Sequence, residues 1–462
     1  MSKITLLFLM CLSAVTAYAL PVSVDENVEF ISAVARLAGY DEYHNNVNQA
    51  YVARLDSLMA PFKDHPAVEY MHRVRWDQGV SYDAVATLAG HTAIYDGRLV
   101  YLDGAEISNL DDRWKPGQGQ EVVALLDDLY QQTGFSGFYA SNRQFYDRAI
   151  RNAESLIEGA DVDWLNRFYG KQLSHSRVVV SLINRGNYGC TVSREGRPDE
   201  ALIIIGCYDL DDNAIPIFSG QESLIVHECS HPICNPLIEE NLDKFDRKIH
   251  VAAELMAEPL RRGAYSGAKT MLCESMVRGA ELQYALAHAR STEDKSDVED
   301  RMRGEMSRGF VFMPEIMEAY VRNRGNVVDS MMPELIQLIR DVDLNARYIE
   351  IVNSAPKLIG CSIEENADNI SPSDSLELRF FFDQPVSRSF GMNYLDGRAD
   401  IMPSLAGVKD RISLDQSRQV LTVKIVAEPN KEYGFVIPGA FFRGDKGYRG
   451  NGAARVHFFT GE

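Results

Sequence analysis

Seven cysteines in 462 residues are too few and too scattered for a disulfide scaffold, and none of their spacings is that of a zinc ribbon. One of them, Cys11, falls in the N-terminal leader, which leaves Cys190, Cys207, Cys229, Cys234, Cys273 and Cys361. An even number in an exported chain permits bridges, and Cys190 with Cys207 could clip the ends of a hairpin. The alternative is that all six are buried small hydrophobes. Positive charge is the second shortage. With Lys3 set aside as part of the leader, 46 basic residues face 66 acidic ones, a formal charge of −20 that repels nucleic acid and anionic lipid. Long apolar runs are the third. The stretch from Ile4 to Val15 holds about 12 apolar residues, too few to span a bilayer, and it runs into Ala17-Tyr18-Ala19, which suits signal peptidase. Residues 1–19 are therefore expected to be a signal peptide cut after Ala19. The mature chain should be exported, without a transmembrane segment, and periplasmic, cell-surface or secreted.

What remains reads as α+β, with two or three domains expected at this length. Apolar residues recur at helical spacing in Val28, Phe30, Ile31, Val34, Ala35, Leu37 before Gly39, and again in Val122, Val123, Leu125, Leu126, Leu129, Tyr130 before Gly134. The pattern stays helical to about residue 170. Val178 to Ile183 and Leu202 to Ile205 are short β-branched runs between turn residues and predict a small sheet. Helices return from Asp243 to about Asn353. After Ser354-Ala355-Pro356 the character changes: Leu376 to Phe380 and Val420 to Val426 alternate or run apolar, with no helical period. Residues 20–354 are thus expected to form a mainly helical domain with a small sheet, and residues 355–462 an all-β sandwich.

The chemistry concentrates in His227-Glu228-Cys229-Ser230-His231, which reads H-E-x-x-H and follows Leu224-Ile225-Val226. On a helix, residues four apart share a face, so both imidazoles can bind one Zn2+ while Glu228 reaches a metal-bound water. Ser219 is a plausible cap for that helix. A hydrolytic zinc needs three protein ligands and an open position. The extended motif with a third histidine is excluded, because Cys234 and Leu237 stand where it requires glycine and histidine. A downstream carboxylate remains, from Asp243, Glu254, Glu258, Glu274 or Glu281. Glu274 is preferred, since it interrupts an otherwise apolar helical segment and a carboxylate there is costly unless neutralised. Arg278, one turn on, is the competing explanation for it. Glu254 and Glu258 are runners-up, with Arg261 and Arg262 beside them. With His227, His231 and Glu274 as ligands, Glu228 is the expected general base and then acid of peptide hydrolysis. Tyr265, His250, His288 and Arg278 are all possible oxyanion donors. Cys229 and Cys234 make poor nucleophile candidates, and His65 and His72 read as surface or capping residues. Pro232, directly after the second histidine, is a departure: the helix should kink there or end within one turn, with Asn235-Pro236 as the stop.

These residues resemble the zincin superfamily and, within it, the glutamate-zincins, which carry two histidines on one helix and a glutamate on the next. The N-terminal four-fifths also resembles a family of exported bacterial proteins, common in Bacteroidetes, known only as a domain of unknown function and grouped with candidate metallopeptidases. The likeness rests on Phe62-Lys63-Asp64-His65-Pro66, Asn187-Tyr188-Gly189, His227 to Pro232 with Asn235-Pro236, and Glu274 with Val277-Arg278. It implies that Pro232 is tolerated and that Glu274 is the third ligand. The tail is similar to bacterial Ig-like domains of the surface-layer kind, through Pro356-Lys357-Leu358, Leu378 to Val386, Leu414-Asp415, Tyr433-Gly434-Phe435 and Phe458-Phe459-Thr460. That likeness implies a spacer or binding module able to meet a cell-surface partner. The expected activity is zinc peptidase action on a peptide or protein substrate. The rival is a non-catalytic surface or periplasmic binding protein on a degenerate zincin scaffold.

Overall fold

The computed structural model describes residues 20–44, 47–102, 110–171, 176–197, 200–218, 222–263, 265–387, 389–404 and 411–462. The expected leader and the expected cap Ser219 lie outside them. The chain is a mixed α+β protein made of two units, Met1–Pro232 and Ile233–Glu462.

The first unit runs β1 (Val22–Ser23), α1 (Glu26–Leu37), α2 (Gln49–Met59), α3 (Pro66–Gln78), α4 (Asp83–Gly90), β2 (Thr92–Tyr95), β3 (Arg98–Tyr101), α5 (Gln118–Thr133), α6 (Phe135–Ser141), α7 (Arg143–Gly159) and α8 (Val162–Tyr169). Then come β4 (Ser176–Ser181), β5 (Tyr188–Val192), β6 (Glu200–Gly206), β7 (Asp209–Leu210), β8 (Pro216–Ile217) and α9 (Glu222–Glu239), which continues into the second unit. Helix α1 forms because Val28, Phe30, Ile31, Val34 and Ala35 fall on faces that are all buried. Helix α5 stops where Gly134 turns left-handed at φ 64°, a conformation that glycine adopts without the clash of a Cβ. The sheet has the order β1-β4-β6-β5. Strands β1, β4 and β6 are parallel, with Val178 opposite Ile203 and Val180 opposite Ile205. Strand β6 is buried along nearly its whole length, as a parallel strand covered on both faces should be. Strand β5 joins antiparallel at the edge, with Gly189 opposite Ile203. Its sequence, Tyr-Gly-Cys-Thr-Val, contains no apolar run, so the spacing of apolar residues does not announce it.

Inside this unit Glu29 is 0% exposed. Its carboxylate accepts the Leu182 N–H at 2.8 Å and the Tyr51 hydroxyl at 2.7 Å, and Tyr51 meets the Tyr146 hydroxyl at 2.9 Å. Burial outweighs these hydrogen bonds and raises its pKa to about 7.

The second unit continues from the end of α9 into α10 (Lys248–Leu255), α11 (Ala257–Arg262), α12 (Gly267–His288), α13 (Thr292–Ser307), α14 (Met313–Arg322), α15 (Val327–Asp341) and α16 (Leu344–Ser354). Its C-terminal part is β-rich: β9 (Leu358–Cys361), β10 (Ala367–Ile370), β11 (Ser373–Phe382), β12 (Asn393–Tyr394), β13 (Ile412–Leu414), β14 (Val420–Ala427), β15 (Glu432–Pro438) and β16 (Ala453–Thr460). These strands make two four-stranded sheets, β13-β14-β11-β9 and β10-β16-β15-β12. Along β14 every second residue is buried, and Leu421, Val423 and Ile425 share one core with Leu378 and Phe380 of β11 and with Phe435 and Val456 of the other sheet. The helices and the β-rich part belong to one unit, joined by contacts such as the Tyr448 hydroxyl donating to Glu350 at 2.5 Å.

Helix α9 does not end near Pro232. It runs through Pro232 and Pro236 to Glu239. Pro232 has no N–H to offer the Glu228 carbonyl one turn back. Gly189 of β5 packs there instead, so closely that a Cβ on it would lie 2.7 Å from that carbonyl oxygen. The gap left by the proline is filled by strand backbone, and the helix needs no break.

Candidate metal centre

Ile225, Val226, Cys229, Ile233, Cys234 and Ile238 are buried along α9, so the helix is held on several sides and its polar side chains are placed by the packing of the others. His227 and His231 are half-buried and stand one above the other. Their rings meet edge to face at 76° with centroids 4.9 Å apart, and their Nε2 atoms are 3.2 Å apart. Two nitrogens on one tetrahedral zinc, each at about 2.05 Å, would be about 3.3 Å apart. The imidazole pair thus has the separation that a shared ion requires.

Glu274 lies in α12, where every residue from Met271 to Ala280 is buried. It is 8% exposed, and the ligand atoms of His227, His231 and Glu274 all lie within 4.8 Å of one another. Its carboxylate also has a second partner. Arg278 Nη2 donates to Glu274 Oε2 at 3.2 Å and to the Tyr265 hydroxyl at 3.0 Å. Arg278 Nη1 lies 3.4 Å from Glu305, and the guanidinium sits 4.8 Å from the centre of the Phe310 ring. An ionised carboxylate has about four acceptor positions, so the pairing with Arg278 leaves capacity for a cation on the histidine side.

Glu228 is 5% exposed and projects among groups that the motif alone does not reveal. A Cβ at Gly189 would meet its carboxylate at 3.0 Å, so only glycine lets β5 pass this close. Tyr208 is near enough to feel its charge: burial raises the phenol's pKa, a hydrogen bond with Asn187 lowers it, and Glu228 raises it further. Asn187 Nδ2 donates to the Tyr208 hydroxyl at 2.7 Å, while its Oδ1 accepts the Gly206 N–H at 2.9 Å. Tyr208 was not among the residues singled out in the sequence. The Asn187-Tyr188-Gly189 segment that holds it was.

The other candidates separate by position. Asp243 and Glu254 are exposed, and Glu258 is exposed and paired with Arg262 at 2.6 Å. Glu281 is seven residues past Glu274 on the same helix, about 10 Å along its axis, and His288 is fourteen past, about 21 Å away. His288 instead stacks on Tyr284 and bonds its carbonyl, which removes it as an oxyanion donor beside Glu274. His250 is exposed on α10. Tyr265 and Arg278 remain beside Glu274. His65 caps α3 by accepting the Ala67 N–H at 3.1 Å, and His72 bonds the Ala38 carbonyl. Among the described residues none of the six cysteines is in a disulfide, and Cys207, Cys229, Cys234 and Cys273 are buried. Cys190 and Cys207 form no bridge, since in the antiparallel β5–β6 pair Cys190 stands opposite Leu202 and Cys207 lies five residues further along the chain. Burial pushes both thiols up to about 12 and, with the charge of Glu228, raises Cys229 as well, so none is a ready nucleophile.

Among solved structures, the chain is similar to surface layer protein SbsC, domains 1-6, and to the S-layer protein rSbsC(31-844). Each is 14% identical and matches 55% of this chain and 35% of its own, with a TM-score of 0.17. The chain thus spans about a third of the length of those structures, and neither likeness bears on its fold or function. No curated protein matches the sequence. The chain belongs to the family described as domain of unknown function DUF4932, whose model matches residues 20–338.

Proposed function

We propose that this protein is an exported zinc-dependent metallopeptidase on a glutamate-zincin-like scaffold, with His227, His231 and Glu274 as metal ligands and Glu228 as general base. One observation carries the reading: two imidazole Nε2 atoms are 3.2 Å apart, and a ring nitrogen of each histidine and a buried carboxylate oxygen of Glu274 all lie within 4.8 Å of one another. The donor set of two neutral nitrogens and one carboxylate is the set that zinc takes in hydrolytic sites. When bound, zinc supplies a Lewis acid for the substrate carbonyl and a water that ionises near neutral pH.

The chain's own residues do the rest. Glu228 accepts the proton of the attacking water as the new C–O bond forms, then passes it to the amine nitrogen as the C–N bond breaks. Arg278 orients Glu274 by occupying one of its oxygens, as outer groups around metal ligands commonly do. Strand β5 is an edge strand lying against Glu228, so an extended peptide has backbone to pair with beside the base. The β-rich part, similar in sequence to bacterial Ig-like domains, serves as a spacer or binding module at the cell surface. Among the described residues no helix is long and apolar enough to cross a membrane.

A second reading has its own support. The 3.2 Å ion pair with Arg278 satisfies Glu274 without any metal, as it would in a binding protein that has lost catalysis. Metal analysis and a mixed peptide library separate the two. The purified chain is expected to carry one zinc and to cleave. Glu228→Ala should keep the zinc and lose cleavage by about 100-fold or more. A variant that cuts as well as wild type would remove Glu228 from the mechanism, and a zinc-free protein of unchanged thermal stability would favour the binding protein.

A further inference from the structure

In the second unit, four guanidinium groups gather around one carboxylate. Arg278 of α12 and Arg308, just beyond α13, both bind Glu305, with Nη1 atoms 3.4 and 3.0 Å from Oε2. Their guanidinium carbons lie 4.8 and 5.9 Å from the centre of the Phe310 ring. Arg443 and Arg449 face each other across an antiparallel bridge in the β-rich part, and the Arg449 backbone N–H donates to Ser307 Oγ at 3.1 Å. Gly304 of α13 looks onto this pair. A Cβ there would be 3.8 Å from both Arg443 Nη2 and Arg449 Nε.

The positive charge in this cluster is not balanced. Among the described residues, the Arg449 side chain has no ion-pair partner, and Arg443 has only Asp297, at 4.0 Å. The Nε atoms of Arg278 and Arg449 are buried without a hydrogen-bond partner. Burial lowers the Arg449 pKa, Glu305 opposes that, and the charges of Arg308, Arg443 and Arg278 lower it further. Buried donors are seldom left unpaired, and a crowded guanidinium without a counter-charge is costly. The chain has 66 acidic residues against 47 basic ones, and yet among the described residues only Glu305, Asp297 at 4.0 Å and, through Arg278, Glu274 serve this cluster.

We propose that Arg308, Arg443 and Arg449 form a binding site for a small oxyanion, a carboxylate or phosphate group that accepts hydrogen bonds from at least two guanidiniums. The planar fork of arginine donates two parallel bonds to such groups, and the missing Cβ of Gly304 leaves space beside Arg443 Nη2 and Arg449 Nε, bordered by the Gly447 carbonyl oxygen. Arg308 and Arg443 are about a third exposed, which gives an approach from solvent. The site stands on its own residues and does not depend on the metal reading.

Isothermal titration of the full chain at low salt with inorganic phosphate, and separately with N-acetylglycine as the carboxylate probe, tests it. Saturable binding near about 1 mM is expected for at least one probe. Arg449→Gln should weaken it by about tenfold or more. Arg443→Gln, at a more open position, should do the same and carries the test if the first variant folds poorly. Arg455→Gln, in the same β-rich part but paired with Glu365 and Asp396, should leave it unchanged. Binding of phosphate alone assigns a phosphate-bearing ligand, and binding of N-acetylglycine assigns the carboxylate of a peptide or organic acid. Absence of saturable heat with both probes, or binding by both cluster variants as tight as that of wild type, overturns the proposal and leaves an adventitious ion only.

Discussion

Glu29 in the first unit and Glu274 in the second are both buried carboxylates on largely apolar helices, Glu29 in the first turn of α1 and Glu274 inside α12, and they are satisfied in opposite ways. Glu29 is held by neutral donors, the Leu182 N–H and the Tyr51 hydroxyl, with no ion-pair partner among the described residues, and burial raises its pKa to about 7. Glu274 has Arg278 at 3.2 Å on one side and the two imidazole nitrogens within 4.8 Å on the other. The first site is closed: its hydrogen bonds tie α1 to the end of β4 and to α2. The second keeps capacity on one side. An acid in an apolar helix therefore signals that something neutralises it, and the neutralising group, rather than the acid, tells structure from chemistry.

Alanine at each position should break this comparison most sharply. Glu274→Ala is expected to abolish stoichiometric zinc in metal analysis while leaving a folded chain, because Arg278 keeps Glu305 as a partner. Glu29→Ala is expected to do the reverse. It takes the carboxylate acceptor from the buried Leu182 N–H, leaves the Tyr51 hydroxyl with Tyr146 alone and opens a cavity, lowering stability by about 3 kcal/mol in urea unfolding, with zinc per folded chain unchanged. Equal zinc loss in both variants would mean that the two acids do not differ in role.

Glu29→Gln sharpens the contrast through pH. With a folded pKa of about 7 against 4.5 for the free side chain, the native state holds this proton more tightly. Its stabilising contribution is complete below pH 4.5 and is lost as pH rises to about 7 and beyond, a change on the order of 3 kcal/mol. Wild type should therefore lose stability relative to Glu29→Gln across that window. Parallel stability curves for the two proteins from pH 4.5 to 8 would contradict it.

The smallest effect is expected at the contact between β5 and α9. Gly189→Ala puts a methyl 2.7 Å from the Glu228 carbonyl, which should cost about 1–3 kcal/mol in stability and reduce peptide cleavage, with bound zinc retained. Zinc loss in this variant would show that β5 supports the ligands rather than the base.

Much of the local structure is legible in the chain itself. The helical period of Val28 to Leu37 and the stop at Gly134 appear where the spacing and the glycine place them, and the alternation at Val420 to Val426 becomes a strand buried on one face. Strand β5 was not legible, because its residues carry no apolar signal and its pairing with β6 is what makes it a strand. Nor was the continuation of α9 through two prolines. Proline removes a donor within its own helix, but what packs against the freed carbonyl is set by a strand some forty residues earlier. Tyr208 escaped notice for a similar reason: it comes near Glu228 through packing, with Asn187 bonded to its hydroxyl and Arg185 over its ring.

The sequence by itself determined that His227, Glu228 and His231 would occupy one stretch of helix with the two imidazoles on a common face, since a four-residue spacing and a 3.6-residue turn leave no other arrangement. Which distant acid comes to lie beside them, and that Glu29 does not, was decided only by tertiary structure. The cost of burying a carboxylate is the same on any apolar helix. What offsets it, a proton, an arginine or a metal, is set by side chains that packing brings from dozens of residues away.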